Sequence, residues 1–294
     1  MDQRSELREF LRSRRAKVKP EETGLPTYNS RRHVPGLRRE EVAQLAGISS
    51  DYYIRLEQGR TQQVSDSVLE GVANALRLTE DERVHLRNLT RHRPRKQAPQ
   101  PKQRVRPGLL RMIESVDCGP AYLVGRAMEL LAWNPLAEII FADVVAMPAE
   151  RRNMAQFVFL EPPARQLFVD WPEIARSTVD YLHLSAGSHP DDAKLAALVG
   201  ELSIKSDEFR RLWSEHTVSD RTHGVKRLAH PLVGAMSLTY EALRLSDDND
   251  QLVMVFSPEP DSESETSMRL LASWGNELHA PETIATELPS AEQK

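Results

Sequence analysis

Ser50, Asp51, Tyr52 and Arg55 lie within one short stretch of the chain and together carry chemistry suited to reading the edges of bases. An arginine pairs bidentately with guanine, and a serine hydroxyl donates to or accepts from a base or a phosphate. Asp51 repels phosphate, which restricts it to a cytosine amino group or to local capping. Such groups work only on a rigid support, and GLRREEVAQLAGISSDYYIRLEQGR, from Gly36 to Arg60, supplies one. Val42, Leu45 and Ala46 recur at helical spacing over Arg38 to Ala46, with Glu40 and Glu41 in the first turn where the helix dipole favours acids. Gly47 stops that helix, and Ser49 or Ser50 caps a second one running from Ser50 to Gln58. Tyr53, Ile54 and Leu56 are its inward side, leaving Ser50, Asp51, Tyr52 and Arg55 to meet bases. Helix, glycine and helix also describe an ordinary αα-hairpin, so the spacing alone does not decide.

The surrounding charge tips the balance. Residues 1–106 carry a net +9 and the remainder −13, within an overall −4, so one part is built to meet a polyanion and the other is not. Arg31, Arg32 and His33 precede the hairpin in a Pro-rich loop, Lys19 to Pro35, and either reach along a phosphate backbone or stand as solvated charges. Residues 91–107, RHRPRKQAPQPKQRVRP, hold four prolines, seven bases and no acid, a composition that buries no core and marks a linker. Cys118 is the only cysteine, which rules out an intrachain disulfide and suits a reducing compartment; an inert small residue is its plainer role, a redox sensor the sharper one. The amino terminus lacks the apolar run of a signal peptide, and no apolar stretch is long enough to span a bilayer, so a cytoplasmic protein that avoids membranes is expected.

The run from Leu37 to Arg60, followed by SDSVLEGVANALRL from Ser65 to Leu78, resembles the helix-turn-helix domain of the XRE family, which includes the lambdoid phage repressors. The resemblance places Ser50, Asp51 and Arg55 at base-facing positions, and Arg38, Arg39, Arg60 and Thr61 near phosphates. Three further helices complete this unit. Residues 2–17 put Leu7, Phe10, Leu11 and Arg14 on one face; Ser65 or Asp66 opens a helix with a broad stripe from Val68 to Leu78; and Thr79 with Glu82 forms a capping box opening a helix to about Arg91.

Beyond Gly108 the pattern turns to mixed helix and strand. Strands are expected at Ala121 to Gly125 and Met128 to Trp133, then a helix from Asn134-Pro135 to about Ala142. A long helical region follows the apolar-rich segment Asn153 to Trp171 and ends at Gly187, with two further helices at Asp191 to Leu202 and Ser206 to His216. Met236, Leu238 and Tyr240 alternate before a shift of phase to Leu243 and Leu245, as a bulge at Ala242 produces; Leu252, Met254 and Phe256 pair with them as a hairpin, and Met268 to Trp274 closes with a helix. WNPLAEIIFAD, NMAQFVFLEP, EFRRLWSEHTV, GVKRLAHPLVG and LTYEALRL, read in that order, resemble the ligand-binding domain of MmyB-like transcriptional regulators. That resemblance implies an XRE helix-turn-helix joined to a PAS-like sensor with helices over one face of its sheet and a small apolar ligand, a fatty acid among the candidates. Members often carry a Gly-Ser pair where this chain has Asp261-Ser262.

The expected architecture is therefore multidomain: an all-α five-helix helix-turn-helix domain (1–92), a basic linker (93–107), an α+β PAS-like domain with a small antiparallel sheet (108–275), and a disordered tail (276–294). Trp133, Phe157, Phe168, Trp171, Met236 and Tyr240 are candidates for an apolar pocket, with Asn134, Arg126 or His230 orienting a head group; helix capping competes for Asn134. No catalytic motif or phosphate-binding glycine loop is present, and His216, His223 and His230 are spaced too widely for one metal face, so neither an enzyme nor a cofactor or metal is expected. Two readings remain: a homodimeric regulator binding a double-stranded operator under the control of a small apolar ligand, or a DNA-tethered module whose second domain docks a partner protein.

Overall fold

A computed structural model of the chain describes residues 3–24, 36–61, 63–90, 103–219, 221–245 and 251–278, with no side chains described after Trp274. Arg31, Arg32, most of the proline-rich linker and the tail beyond Leu278 lie outside these residues. The amino-terminal unit comprises α1 (Gln3–Lys17), α2 (Arg39–Leu45), α3 (Ser50–Glu57), α4 (Asp66–Ala75) and α5 (Glu80–Thr90). Local chemistry accounts for the boundaries. The Ser65 side chain accepts from Val68 N, and Thr79 and Glu82 exchange bonds with each other's backbone amides at 3.0 and 3.4 Å. Gly47 ends the α2 segment with a φ of +67°, a conformation that a side chain disfavours. Leu7, Phe10, Leu11, Val42, Tyr53, Leu56, Val72 and Leu86 meet in one core.

The second unit runs α6 (Pro107–Glu114), β1 (Ala121–Val124), β2 (Leu130–Trp133), α7 (Pro135–Ile140), α8 (Ala142–Val145), α9 (Met154–Leu160), α10 (Pro162–Leu167), α11 (Trp171–Ser188), α12 (Ala193–Lys205), α13 (Asp207–Ser214), β3 (His223–His230), β4 (Gly234–Arg244), β5 (Leu252–Pro258) and α14 (Glu263–Leu278). Its five strands form one antiparallel sheet in the order β2-β1-β5-β4-β3. The main core lies between one face of the sheet and α7 to α14, around Phe141, Phe157, Phe168, Leu182, Phe209 and Phe256. Helices are not confined to that face. Leu109 and Ile113 of α6 pack with Leu123, Ala132 and Val253 on the other side, which is why β1 is buried at every position.

Several expectations are corrected. Ala242 forms no bulge: β4 and β5 pair in continuous register from Leu238 with Pro258 to Arg244 with Leu252, Ala242 keeps the buried phase of Tyr240, and Leu243 points outward. Gly187 does not end α11, which continues to Ser188. A Cβ there would lie 2.7 Å from the His85 ring, so its glycine permits close packing of α11 on α5. β3 is a strand that no expectation assigned, because the apolar Val225 and Ala229 of HGVKRLAH face outward while Lys226 faces in. Cys118 is exposed, unlike an apolar filler. Asp261, where the family pattern often has glycine, adopts φ +59°, and Ser262 Oγ accepts from Glu265 N to start α14.

The two units are in contact. Ser13 Oγ donates to the Glu215 carbonyl at 3.1 Å, Arg14 donates to the carbonyls of Glu215 and His216, and Asn88 donates to Ser188 at 3.3 Å. Val218 is buried in the amino-terminal core, with Leu184 packed against it.

Candidate functional site

The first site is the outer face of α3. Ser49 caps the helix, accepting from Tyr52 N at 3.2 Å, and so frees the side chain of Ser50. Tyr53 and Leu56 are sealed in the core, which turns Asp51 and Arg55 to solvent and leaves Ser50 and Tyr52 half-buried beside them. The Arg55 guanidinium lies 5.9 Å from the centre of the Tyr52 ring, which supports it without consuming its donors. The helix-starting residues and the arginine are thus held on one accessible surface by a buried opposite side.

Beneath that surface lies a group the sequence reading did not single out. Glu57, fully buried, accepts from Arg39 Nε and Nη2 at 3.1 and 3.0 Å and from Arg15 Nη2 at 3.3 Å. Arg15 also donates to the Leu37 carbonyl at 2.8 Å. One carboxylate therefore ties α1, α2 and α3 together. Arg39, expected near phosphate, spends its planar fork on Glu57, and that hydrogen bond holds its proton more tightly than usual. Arg38 begins α2, its amide donating to Glu41 at 2.7 Å; Arg60 is exposed just past Gly59, and Thr61 is half-buried beside it. The consecutive Arg-Leu-Glu of the motif carried the signal for Glu57, but spacing alone does not reveal which bases it meets.

The second site is a cavity of about 80 Å³ between the sheet and α11. Tyr122, Met128, Tyr240, Leu252 and Met254 form its apolar walls, Ser177, Thr178 and Tyr181 of α11 its roof, and Ser219, Arg221 and Lys226 its polar side. Lys226 is its chemical centre. Its ammonium lies 4.7 Å from the Tyr240 ring centre and 5.4 Å from that of Phe256, and no carboxylate among the described residues pairs with it. The residue as a whole is half-buried, yet its ammonium is desolvated, and this burial pushes the amine down to about 8. An unpaired cation facing an apolar cavity suits an anionic head group followed by a hydrocarbon body.

Of the expected pocket residues, Tyr240 lines this cavity. Phe157, Phe168 and Met236 are packed into the main core, and Trp171 donates its indole N–H to the Val158 carbonyl at 2.9 Å with Arg165 stacked on its face. Trp133 lies under Arg152. Arg126 pairs with Asp192 at 2.8 Å, and His230 accepts from Leu232 N. Asn134 is a structural hub: Oδ1 accepts from Ala121 N and Ala137 N, and Nδ2 donates to the carbonyls of Val116 and Gly119, all within 2.8 to 2.9 Å. Asn134→Ala is expected to lose about 2–4 kcal/mol in urea unfolding, since a cap and two buried carbonyls lose their partner together; a loss below 1 kcal/mol would contradict that role. Nor do His216, His223 and His230 act together: His223 is exposed on β3, whereas His216 lies beside His183 and Glu6 at the contact between the units.

Residues 105–271 match the family model described as the MmyB-like transcription regulator ligand binding domain, and residues 6–86 match a helix-turn-helix domain. No curated protein matches the chain. Both matched families are parts of transcription regulators and neither is an enzyme family. Among the described residues no helix is long and apolar enough to cross a membrane.

Proposed function

The chain belongs to the MmyB-like transcription regulators, with a DNA-binding helix-turn-helix and a ligand-binding domain, and from that premise we propose that an amphiphilic acid in the Lys226 cavity changes its grip on an operator. The ligand has a carboxylate held by Lys226, with Arg221 at the rim, and an apolar body among Tyr122, Met128, Leu252 and Met254; a fatty acid is the simplest such compound. A cavity of about 80 Å³ is smaller than the usual range for ligand sites, roughly 300–1,000 Å³. A long acyl chain therefore enters only as the unbranched methionines swing aside, a rearrangement that the two flexible side chains permit. On the DNA side Ser50, Asp51, Tyr52 and Arg55 meet bases, while Arg31, Arg32, Arg38, Arg60 and Thr61 track phosphates. Two copies bind a near-palindrome, because one recognition helix reads too few base pairs, with half-sites roughly 34 Å apart.

The observation that carries this reading is α11. One turn of it, Ser177 to Tyr181, lines the cavity, and the next two, His183 to Ser188, lie against α1 and α5 of the helix-turn-helix unit. A ligand that moves the roof moves the surface on which the DNA-binding unit rests.

Lys226→Met tests it in the full chain. Alkanoate affinity is expected to fall about 10- to 100-fold, the scale of a charge-assisted hydrogen bond of about 1.5–3 kcal/mol. The unliganded variant should gain about 1 kcal/mol, allowing for the partial exposure of the side chain. The pH signs are opposed. Unliganded protein relieves the cost of the buried charge as pH rises from about 8, the folded value, to the ordinary lysine value near 10.5, because the unfolded chain holds the extra proton over that window. Alkanoate binding should instead weaken above pH 8 as the ammonium is lost. Calorimetry that finds the alcohol of the same chain length binding as well as the acid, or the variant binding as well as the native protein, would overturn the ligand assignment and favour a domain that docks a protein partner. An alkanoate that binds without altering affinity for a duplex selected from a random pool would overturn the coupling.

A further inference from the structure

Three side chains distant in sequence converge where the helix-turn-helix unit meets the ligand-binding domain. Glu6 belongs to α1, His183 to α11, and His216 follows α13; one ligand atom from each lies within 4.8 Å of the others, and all three residues are buried. The hydrogen-bond partners of the two histidines decide where their protons sit. His183 Nε2 is 3.1 Å from the Trp213 carbonyl, which only accepts, so Nε2 carries hydrogen. Its Nδ1 lone pair then points at Glu6 Oε1, 3.1 Å away. His216 repeats the arrangement: Nε2 is 3.2 Å from Glu9 Oε2, which places hydrogen there, and Nδ1 is 3.8 Å from the same Glu6 oxygen. That Nδ1 is buried and has no hydrogen-bond partner among the described residues.

Two ring nitrogens without hydrogen and a carboxylate oxygen thus stand within 4.8 Å of one another in the protein interior, an arrangement that repels itself unless a cation stands between them. A single proton on His183 joins it to Glu6 but leaves His216 Nδ1 without a partner and sets an imidazolium beside two other rings. A metal ion engages all three atoms at once. We propose that Glu6 Oε1, His183 Nδ1 and His216 Nδ1 bind one divalent transition-metal ion of the zinc class at the junction of the two units.

The chemistry and the supports agree. Two imidazole nitrogens and one carboxylate oxygen suit zinc, whose bonds of about 2.0–2.1 Å place tetrahedral ligand atoms about 3.3 Å apart. The separations of 3.1 and 3.8 Å bracket that figure. Metal-bound histidines donate their other ring nitrogen to a carbonyl or carboxylate, and the Trp213 carbonyl and Glu9 are such acceptors. The Trp213 ring stacks on His183 at 3.7 Å and fixes its plane. Burial pushes the His216 imidazole down, toward the neutral form that a metal ligand must have. His85, buried against Phe10, has no partner for either ring nitrogen among the described residues and lies within the field of all three groups. Asp180 lies nearby, accepting from Thr217 Oγ1 at 2.7 Å, while Arg14 is offset by Glu82 at 2.5 Å. Since its ligands come from both units, the ion favours their docked arrangement and so enters the same equilibrium as the cavity ligand, although the site stands without that ligand.

The test is titration of chelator-treated, full-length protein with Zn(II) in competition with a chromophoric chelator, and with Co(II) by visible absorption. One tight equivalent is expected, with a rise in Tm and Co(II) bands of low coordination number. Glu6→Gln keeps the volume and lets an amide N–H donate to His183 Nδ1, so it should fold without metal yet bind at least about 10- to 100-fold more weakly, the loss that even an outer-shell change produces. His216→Gln should behave alike, whereas His223→Gln, on exposed β3, should bind as the native chain does. Absence of a tight equivalent, with His183 doubly protonated by ¹⁵N NMR, would overturn the proposal and assign the place to a proton. Unchanged affinity in Glu6→Gln would overturn it too.

Discussion

Glu57→Ala is expected to lower stability by about 3 kcal/mol, toward the lower end of the range for breaking a buried ion pair. Glu57 is fully buried, and its loss strips the carboxylate from Arg15, whose side chain is only 11% exposed. Arg39, at 46%, can turn to water and recover part of the cost, which is why the upper end is not reached. Glu57→Gln, which keeps the shape and one acceptor, should lose less. The effect on DNA follows from geometry: the same carboxylate sets α3 against α1 and α2, so duplex affinity should fall with stability. Arg39→Ala serves as the comparison. If Arg39 positions helices, the variant loses stability and leaves the salt dependence of binding almost unchanged; if it contacts phosphate, the slope of log K against log salt decreases by about 1. Urea unfolding with less than 1 kcal/mol lost in Glu57→Ala would remove the carboxylate from this role.

Arg55→Ala should cost about 1–3 kcal/mol at the base pair it reads, and far less on duplexes altered there. Arg55 is exposed, on the side of α3 opposite Tyr53 and Leu56, and among the described residues only the Tyr52 ring occupies it. Truncation therefore removes a donor pair without disturbing the core, and unfolding should be unchanged within about 0.5 kcal/mol. Arg60→Ala gives the contrast, weakening binding to every duplex alike. Anisotropy titrations across single-base variants separate the two; uniform weakening in Arg55→Ala would move Arg55 to the backbone.

These variants also divide what was legible in the chain from what was not. Ser65, Thr79 with Glu82, and Asn134 were readable as helix starts because capping is settled within three or four residues. The inward face of α3 was readable for the same reason, since Tyr53 and Leu56 obey a helical period. Where a residue served a tertiary need, local rules misled. Gly187 looked like a helix end and is a contact with His85; Ala242 looked like a bulge and keeps its phase; β3 escaped notice because its outward side is as apolar as its inward one. The pocket candidates met a related limit: large side chains are needed for any core, and Phe157, Phe168 and Met236 fill one without reaching the cavity.

By itself the order of residues determined the helix-turn-helix, the inward and outward faces of its second helix, the change to an α+β unit after the basic linker, and the family; each depends on neighbours a few positions apart or on a long collinear pattern. Only the tertiary structure brought Lys226, Glu57 and the Glu6, His183 and His216 group into the surroundings on which their proposed roles rest. A charged side chain acquires its role from what surrounds and dehydrates it, and here those surroundings arrive from segments up to 210 positions away.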